Sequence, residues 1–210
     1  MSRRGRFITL EGGEGVGKST QVRALAAALA ERGVDCLITR EPGGSDGAEA
    51  IRSLLLTGDE SRWTPSAEAL LFAAARADHV EKTIKPALAD GRWVLSDRFL
   101  DSSLAYQGGA GGLGMDKVRE LYRIGCGYFL PDRTLVLTLG PGKGSERASA
   151  RDGSGADRIG ARSPEYHQAV ESGFRKIAAE EPDRVRLIDA SGAPPEVTGR
   201  LLEAIADLLP

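Results

Sequence analysis

The chain has 210 residues, 41% of them hydrophobic, enough to bury one substantial core without a second domain. Its 28 Lys and Arg against 30 Asp and Glu give a net charge of −2, which excludes the broad basic field of a nonspecific nucleic-acid binder. The two cysteines, Cys36 and Cys126, argue against a disulfide framework. With no apolar run near the roughly 18 residues of a membrane helix and no signal-peptide core at the basic start, they lead us to expect a cytoplasmic, soluble protein without a membrane partner.

In chain order, β-rich runs at 7–10, 34–39, 93–96, 134–139 and 185–188 read as buried parallel strands. Between them, 19–32, 48–56, 66–89, 115–124, 163–180 and 194–208 carry apolar residues at helical spacing. Strands alternating with helices imply an α/β fold: a five-stranded parallel sheet, doubly wound and flanked by helices. Residues 140–162 break the rhythm, being rich in Gly, Ser, Arg and Asp, and are expected to form a mobile lid inserted into a single domain spanning 1–210.

The first strand runs into Gly12-Gly13-Glu14-Gly15-Val16-Gly17-Lys18-Ser19, the full Walker A spacing, placed after a strand and before a helix where it can work. Glycines let successive backbone N–H groups turn inward around a triphosphate, Lys18 reaches the β- and γ-phosphates, and Ser19 ligates Mg²⁺. Thr20 follows at the start of the helix, where packing or capping is the plainer role. ATP as donor and Mg²⁺ are therefore the expected cofactors. A second acidic strand end, Trp93-Val94-Leu95-Ser96-Asp97-Arg98, places Asp97 where a metal or its water can be held and Arg98 where it can contact phosphate; taken alone, Arg98 also reads as a surface ion pair.

Further motifs narrow the reading. Arg40-Glu41-Pro42-Gly43-Gly44, Phe72-Ala73-Ala74-Ala75-Arg76, Asp97-Arg98-Phe99-Leu100-Asp101-Ser102-Ser103-Leu104-Ala105-Tyr106-Gln107-Gly108 and the helix around Tyr166 to Phe174, together with the Walker loop, resemble the thymidylate kinase family over nearly the whole chain. The resemblance implies transfer of the γ-phosphoryl group of ATP to thymidine 5′-monophosphate (dTMP), giving dTDP and ADP, in a homodimer whose partners are these small molecules. It also implies roles. Phe72 stacks on the base, and Arg76, sharing its helix face at i+4, donates to a ring carbonyl. Ser103 and Gln107 read the base edge, Tyr106 crowds the sugar's 2′ carbon, and Glu14 contacts the 3′-hydroxyl. Arg40, Arg52 and Arg98 clamp the acceptor phosphate, and Glu41 sits near the metal through water.

In bacterial members of this type a lid arginine supplies a cation that the Walker loop lacks; the candidates are Arg147, Arg151 and Arg158. The chain departs from the family pattern at Gly111 on the rim, Gly160 in the lid and Thr138 in the fourth strand. A kinase for another monophosphate and an idle nucleotide binder are the alternatives. A GTPase-like switch needs an Asn-Lys-x-Asp signature, and the chain has no asparagine. His79 and His167 lack metal-ligand spacing and read as helix surface or packing.

Overall fold

The computed structural model describes residues 4–140 and 157–210. Its centre is β1 (Phe7–Glu11), buried at every position, followed by α1 (Lys18–Ala30), β2 (Cys36–Arg40), α2 (Asp46–Leu56) and α3 (Pro65–His79). The run from α3 continues through a wide π turn at Val80–Ile84 into α4 (Lys85–Ala89). Then come β3 (Trp93–Asp97), α5 (Leu100–Ser103) widening into a π turn at Leu104–Ala110, and α6 (Met115–Cys126). β4 (Arg133–Thr138), α7 (Pro164–Glu180), β5 (Val185–Asp189) and α8 (Pro194–Ala204) complete it. The five strands are parallel in the order β2-β3-β1-β4-β5.

Alternation along β1 shows how the sheet is filled from both sides. Phe7 points into one cluster, with Val94, Phe99 and Phe174, while Ile8 and Leu10 point into the other, with Leu25, Leu95 and Leu135. Phe7 and Phe99 meet edge to face, ring centroids 4.8 Å apart. Thr9, on the Phe7 side, is fully buried and satisfies its hydroxyl against Thr134 at 2.9 Å.

Helix starts follow their caps. The hydroxyls of Ser45, Thr64 and Ser163 accept from backbone N–H groups of the first turns of α2, α3 and α7, and the last two helices open on Pro65 and Pro164, where a missing N–H costs nothing. The stretch expected as one helix at 66–89 is helical throughout but not uniformly α. Pro86 cannot donate to the turn behind it, and the wide turn at Val80–Ile84 precedes it directly. Among the described residues no helix is long and apolar enough to cross a membrane.

Because β1 has β3 on one side and β4 on the other, the chain changes winding direction beside β1, and the crevice opens at the strands' C-terminal ends. Glu11, Arg40 and Asp97 end β1, β2 and β3 at that edge.

Candidate active site

The Walker loop leaves β1 through Gly12, at φ 132°, where a Cβ would come within 2.4 Å of the Leu137 carbonyl oxygen, so only glycine fits. Gly17 at φ 95° starts α1, and Lys18 folds back, its ammonium donating to the carbonyls of Gly12 at 3.1 Å and Gly13 at 2.6 Å. Burial, then the nearby Arg98, pulls Lys18 down to about 8. An anion in the loop would relieve both effects.

Arg98 follows β3 with φ 73°, a conformation a side-chain-bearing residue rarely adopts. Its surroundings hold it there. Its N–H donates to Leu10 O, its carbonyl accepts from Ser96 Oγ at 2.7 Å, and the next N–H, of Phe99, donates to the buried carboxyl of Glu11 at 2.7 Å. Ser102 Oγ donates to the other Glu11 oxygen and accepts from Arg98 Nη1. Burial, then Asp101, pushes Glu11 up to about 8, so it is largely protonated at neutral pH. The guanidinium also reaches Gly12 O at 3.0 Å and Glu14. Glu14 is thereby turned out of the loop: Arg98 holds its carboxyl down to about 2, and Tyr106 donates its hydroxyl to it at 3.1 Å.

Ser19 Oγ lies 2.7 Å from Asp97 Oδ2. A hydroxyl and a carboxylate side by side at the mouth of the loop are hard oxygen donors, the set that Mg²⁺ takes when phosphate and water fill its other positions. Among the described residues there is no cluster of three or more His, Cys, Asp or Glu that could hold a metal.

From the loop a cavity of about 290 Å³ extends between α2, α3 and the α5 segment, near the small end of the roughly 300–1,000 Å³ usual for ligand pockets. Its wall brings together Glu14, Gly15, Gly17, Lys18, Ser19, Arg40, Glu41, Arg52, Phe72, Arg76, Asp97, Arg98, Ser103, Tyr106 and Gln107, all singled out from sequence. Gly12, Gly13 and Val16 of the loop do not line it, and Thr20 is exposed on α1 outside the cavity rather than packed. Ser102, Phe99, Leu56, Pro42, Asp157 and Ile159 also line it and were not anticipated.

The two ends of the wall differ. Arg52 donates to Pro42 O at 2.6 Å, and burial, then its neighbour Arg40, lowers its guanidinium from the ordinary value, as expected of cations gathered before an anion. At the other end Arg76 is 3% exposed and held on two of its three nitrogens: Nε on Glu41 at 2.7 Å, Nη2 on Phe99 O and Ser103 Oγ at 3.0 Å each. Glu41 therefore departs from its expected place beside the metal, because its two oxygens are taken by Arg76 and, at 3.0 Å, by His79 Nδ1. His79, on the opposite side from solvent, is completely buried and also bonds Thr39 at 2.7 Å. His167 Nε2 lies 3.2 Å from Gly160 O.

Arg158 also departs from expectation. Its side chain is buried, donating to the carbonyls of Leu55 and Glu60 and to the carboxylate of Glu68, so it is not a free cation at the loop. Arg147 and Arg151 lie outside the described residues, as does most of the expected lid; its last part, residues 157–162, packs with Arg158 and Arg162 against Glu68. Neither Glu11 nor Glu68 carried a sequence signal, since each is a single acidic residue with no motif around its role.

Comparison with known proteins gives the family. The thymidylate kinase family model matches residues 10–200. A thymidylate kinase of Rhizorhabdus wittichii is 61% identical over 98% of this chain and 99% of its own, and one of Bradyrhizobium diazoefficiens is 50% identical over 99% and 92%. The crystal structure of thymidylate kinase from Ehrlichia chaffeensis superposes with a TM-score of 0.78 at 30% identity, covering 96% of this chain and 99% of that one. The chain belongs to the thymidylate kinase family, of bacterial type, and transfers the γ-phosphoryl group of ATP to thymidine 5′-monophosphate.

Proposed function

We propose that dTMP lies along the cavity with its base between Phe72 and the Arg76, Ser103 and Gln107 side chains, its sugar against Tyr106 and Glu14, and its 5′-phosphate among Arg40, Arg52 and Arg98. The ATP phosphates occupy the Walker loop, so donor and acceptor meet at Arg98 and Lys18. The observation that carries this placement is that both cations bond the same Gly12 carbonyl, Lys18 at 3.1 Å and Arg98 at 3.0 Å. Transfer between two phosphates has a loose transition state and needs no general base, so positioning and charge neutralisation supply the catalysis. Arg98 bridges the attacking and transferred groups, and Lys18 follows the γ-phosphoryl. Ser19 and Asp97 would hold Mg²⁺, which neutralises charge on the donor phosphates when bound.

With Arg158 committed to Glu68, Arg147 and Arg151 remain the lid arginines to test: replacing the operative one with Ala should lower kcat with little change in KM. A homodimer is supported by exposed large apolar residues, Leu70 on α3, Ile124 on α6 and Tyr128 just after it; sedimentation of the wild-type chain decides it. Free, half-buried or buried thiols at Cys36 and Cys126, both pushed up to about 11 chiefly by burial, fit the reducing cytoplasm. Steady-state assays across a panel of monophosphates test the whole reading. We expect dTMP to be preferred, and preference for a purine monophosphate would overturn it.

A further inference from the structure

Glu68 sits on α3 one turn before Phe72, 2% exposed, and three side chains converge on it. Its Oε1 accepts from Gln107 Nε2 at 2.9 Å, and its Oε2 accepts from Arg158 and, at 2.8 Å, from Arg162. Flanked by two guanidiniums, it offers acceptors only. The Gln107 amide therefore has one orientation. Its NH₂ must face Glu68, and its carbonyl oxygen is the end left for the cavity that Gln107 lines.

We infer that Glu68 is a positioning residue that sets base specificity through Gln107. A pyrimidine with an imide presents N3–H as a donor, whereas a 4-aminopyrimidine presents a bare N3 acceptor at the same place. An amide locked oxygen-forward pairs with the first and opposes the second lone pair against lone pair. An unlocked amide can turn over at the cost of one bond and accept either base. Since a site built around one hydrogen-bonding pattern rejects its complement strongly, fixing the flip is worth more to selection than the presence of the glutamine. The inference rests on the proposed placement of the base against Gln107.

The bland reading is that Glu68 is merely the buried counter-charge of Arg158 and Arg162. The two differ in what they do to a ratio: a counter-charge that loosens the fold lowers use of every monophosphate alike. The test is kcat/KM for dTMP and for dCMP, with ATP, in the wild type and in Glu68→Gln, Gln107→Leu and the double variant. Glu68→Gln gives Gln107 a neutral partner that can donate or accept, and the dTMP:dCMP ratio is expected to fall about tenfold or more. In the Gln107→Leu background the same change should leave the ratio within about twofold.

If Glu68→Gln lowers both substrates equally, Glu68 is only a counter-charge and the inference is wrong. If Gln107→Leu itself leaves the ratio unchanged, the placement of the base fails and the inference with it, a distinct result. Glu68→Asp keeps the charge for both arginines but withdraws from Nε2. Should the Gln variant not fold, the Asp variant decides by the same ratio, a fall supporting the inference and an unchanged ratio overturning it.

Discussion

The two ends of the cavity are built on opposite electrostatic principles. At the phosphate end burial first and a like-charged neighbour second lower the pKa of Lys18, against Arg98, and of Arg52, against Arg40. The cations there outnumber their carboxylate partners, Glu14 on Arg98 and Glu49 on Arg40. At the base end the buried charges are paired before any ligand arrives: Arg76 with Glu41, and Arg158 and Arg162 with Glu68. The first arrangement is complete only when an anion binds, and the second is rigid without one. Substrate charge is thus recognised by relief of repulsion, and substrate shape by a preset frame.

This contrast is open to direct attack. The largest effect belongs to Lys18→Ala, expected to lower kcat by about a thousandfold or more while leaving the melting temperature unchanged or a few degrees higher, since it removes a buried and repelled charge. A near wild-type rate would remove the loop from the mechanism. Arg76→Ala should do the reverse to stability. It leaves buried Glu41 with His79 as its remaining partner and no guanidinium, and a loss of about 3 kcal/mol is expected by denaturant unfolding; an unchanged midpoint would mean the base end is not a preset frame.

Glu14→Ala tests the junction between the ends. Glu14 is held by Arg98 and Tyr106 on the acceptor side, so KM for dTMP should rise about tenfold while KM for ATP moves less than about twofold. Equal losses would contradict its placement.

The mildest test is Glu11→Gln, read in the pH dependence of stability. Glu11 is raised from 4.5 to about 8, so between those values the folded chain holds a proton that the unfolded chain has released. Stability then falls as pH rises from about 4.5 to about 8. The Gln variant should lose that part of the slope, and an unaltered profile would show that Glu11 does not titrate as its burial demands.

Much of this molecule was legible in the sequence where function repeats a spacing. The Walker loop, the strand ends at Arg40 and Asp97, and the Phe72/Arg76 and Ser103/Gln107 pairs at one helical turn all reached the cavity wall. What was not legible were contacts set by the fold alone. Glu41 sits in a motif that suggested metal, yet its carboxylate turned toward α3 because Arg76 and His79 needed a buried partner. Arg158 falls within the lid read from the sequence, yet it is pulled inward by Glu68, 90 residues earlier. The wide turns at Val80–Ile84 and Leu104–Ala110 left no pattern, because helical periodicity hardly changes over one enlarged turn. The strained Arg98 was named for its charge, but not for the positive φ that aims it.

A crystal structure of the chain with dTMP bound tests the central claim most directly. The account predicts the base stacked on Phe72 with its edge at Arg76 and the Gln107 carbonyl, and the 5′-phosphate between Arg52 and Arg98. A nucleotide seated with its phosphate in the Walker loop and its base away from Phe72 would contradict it.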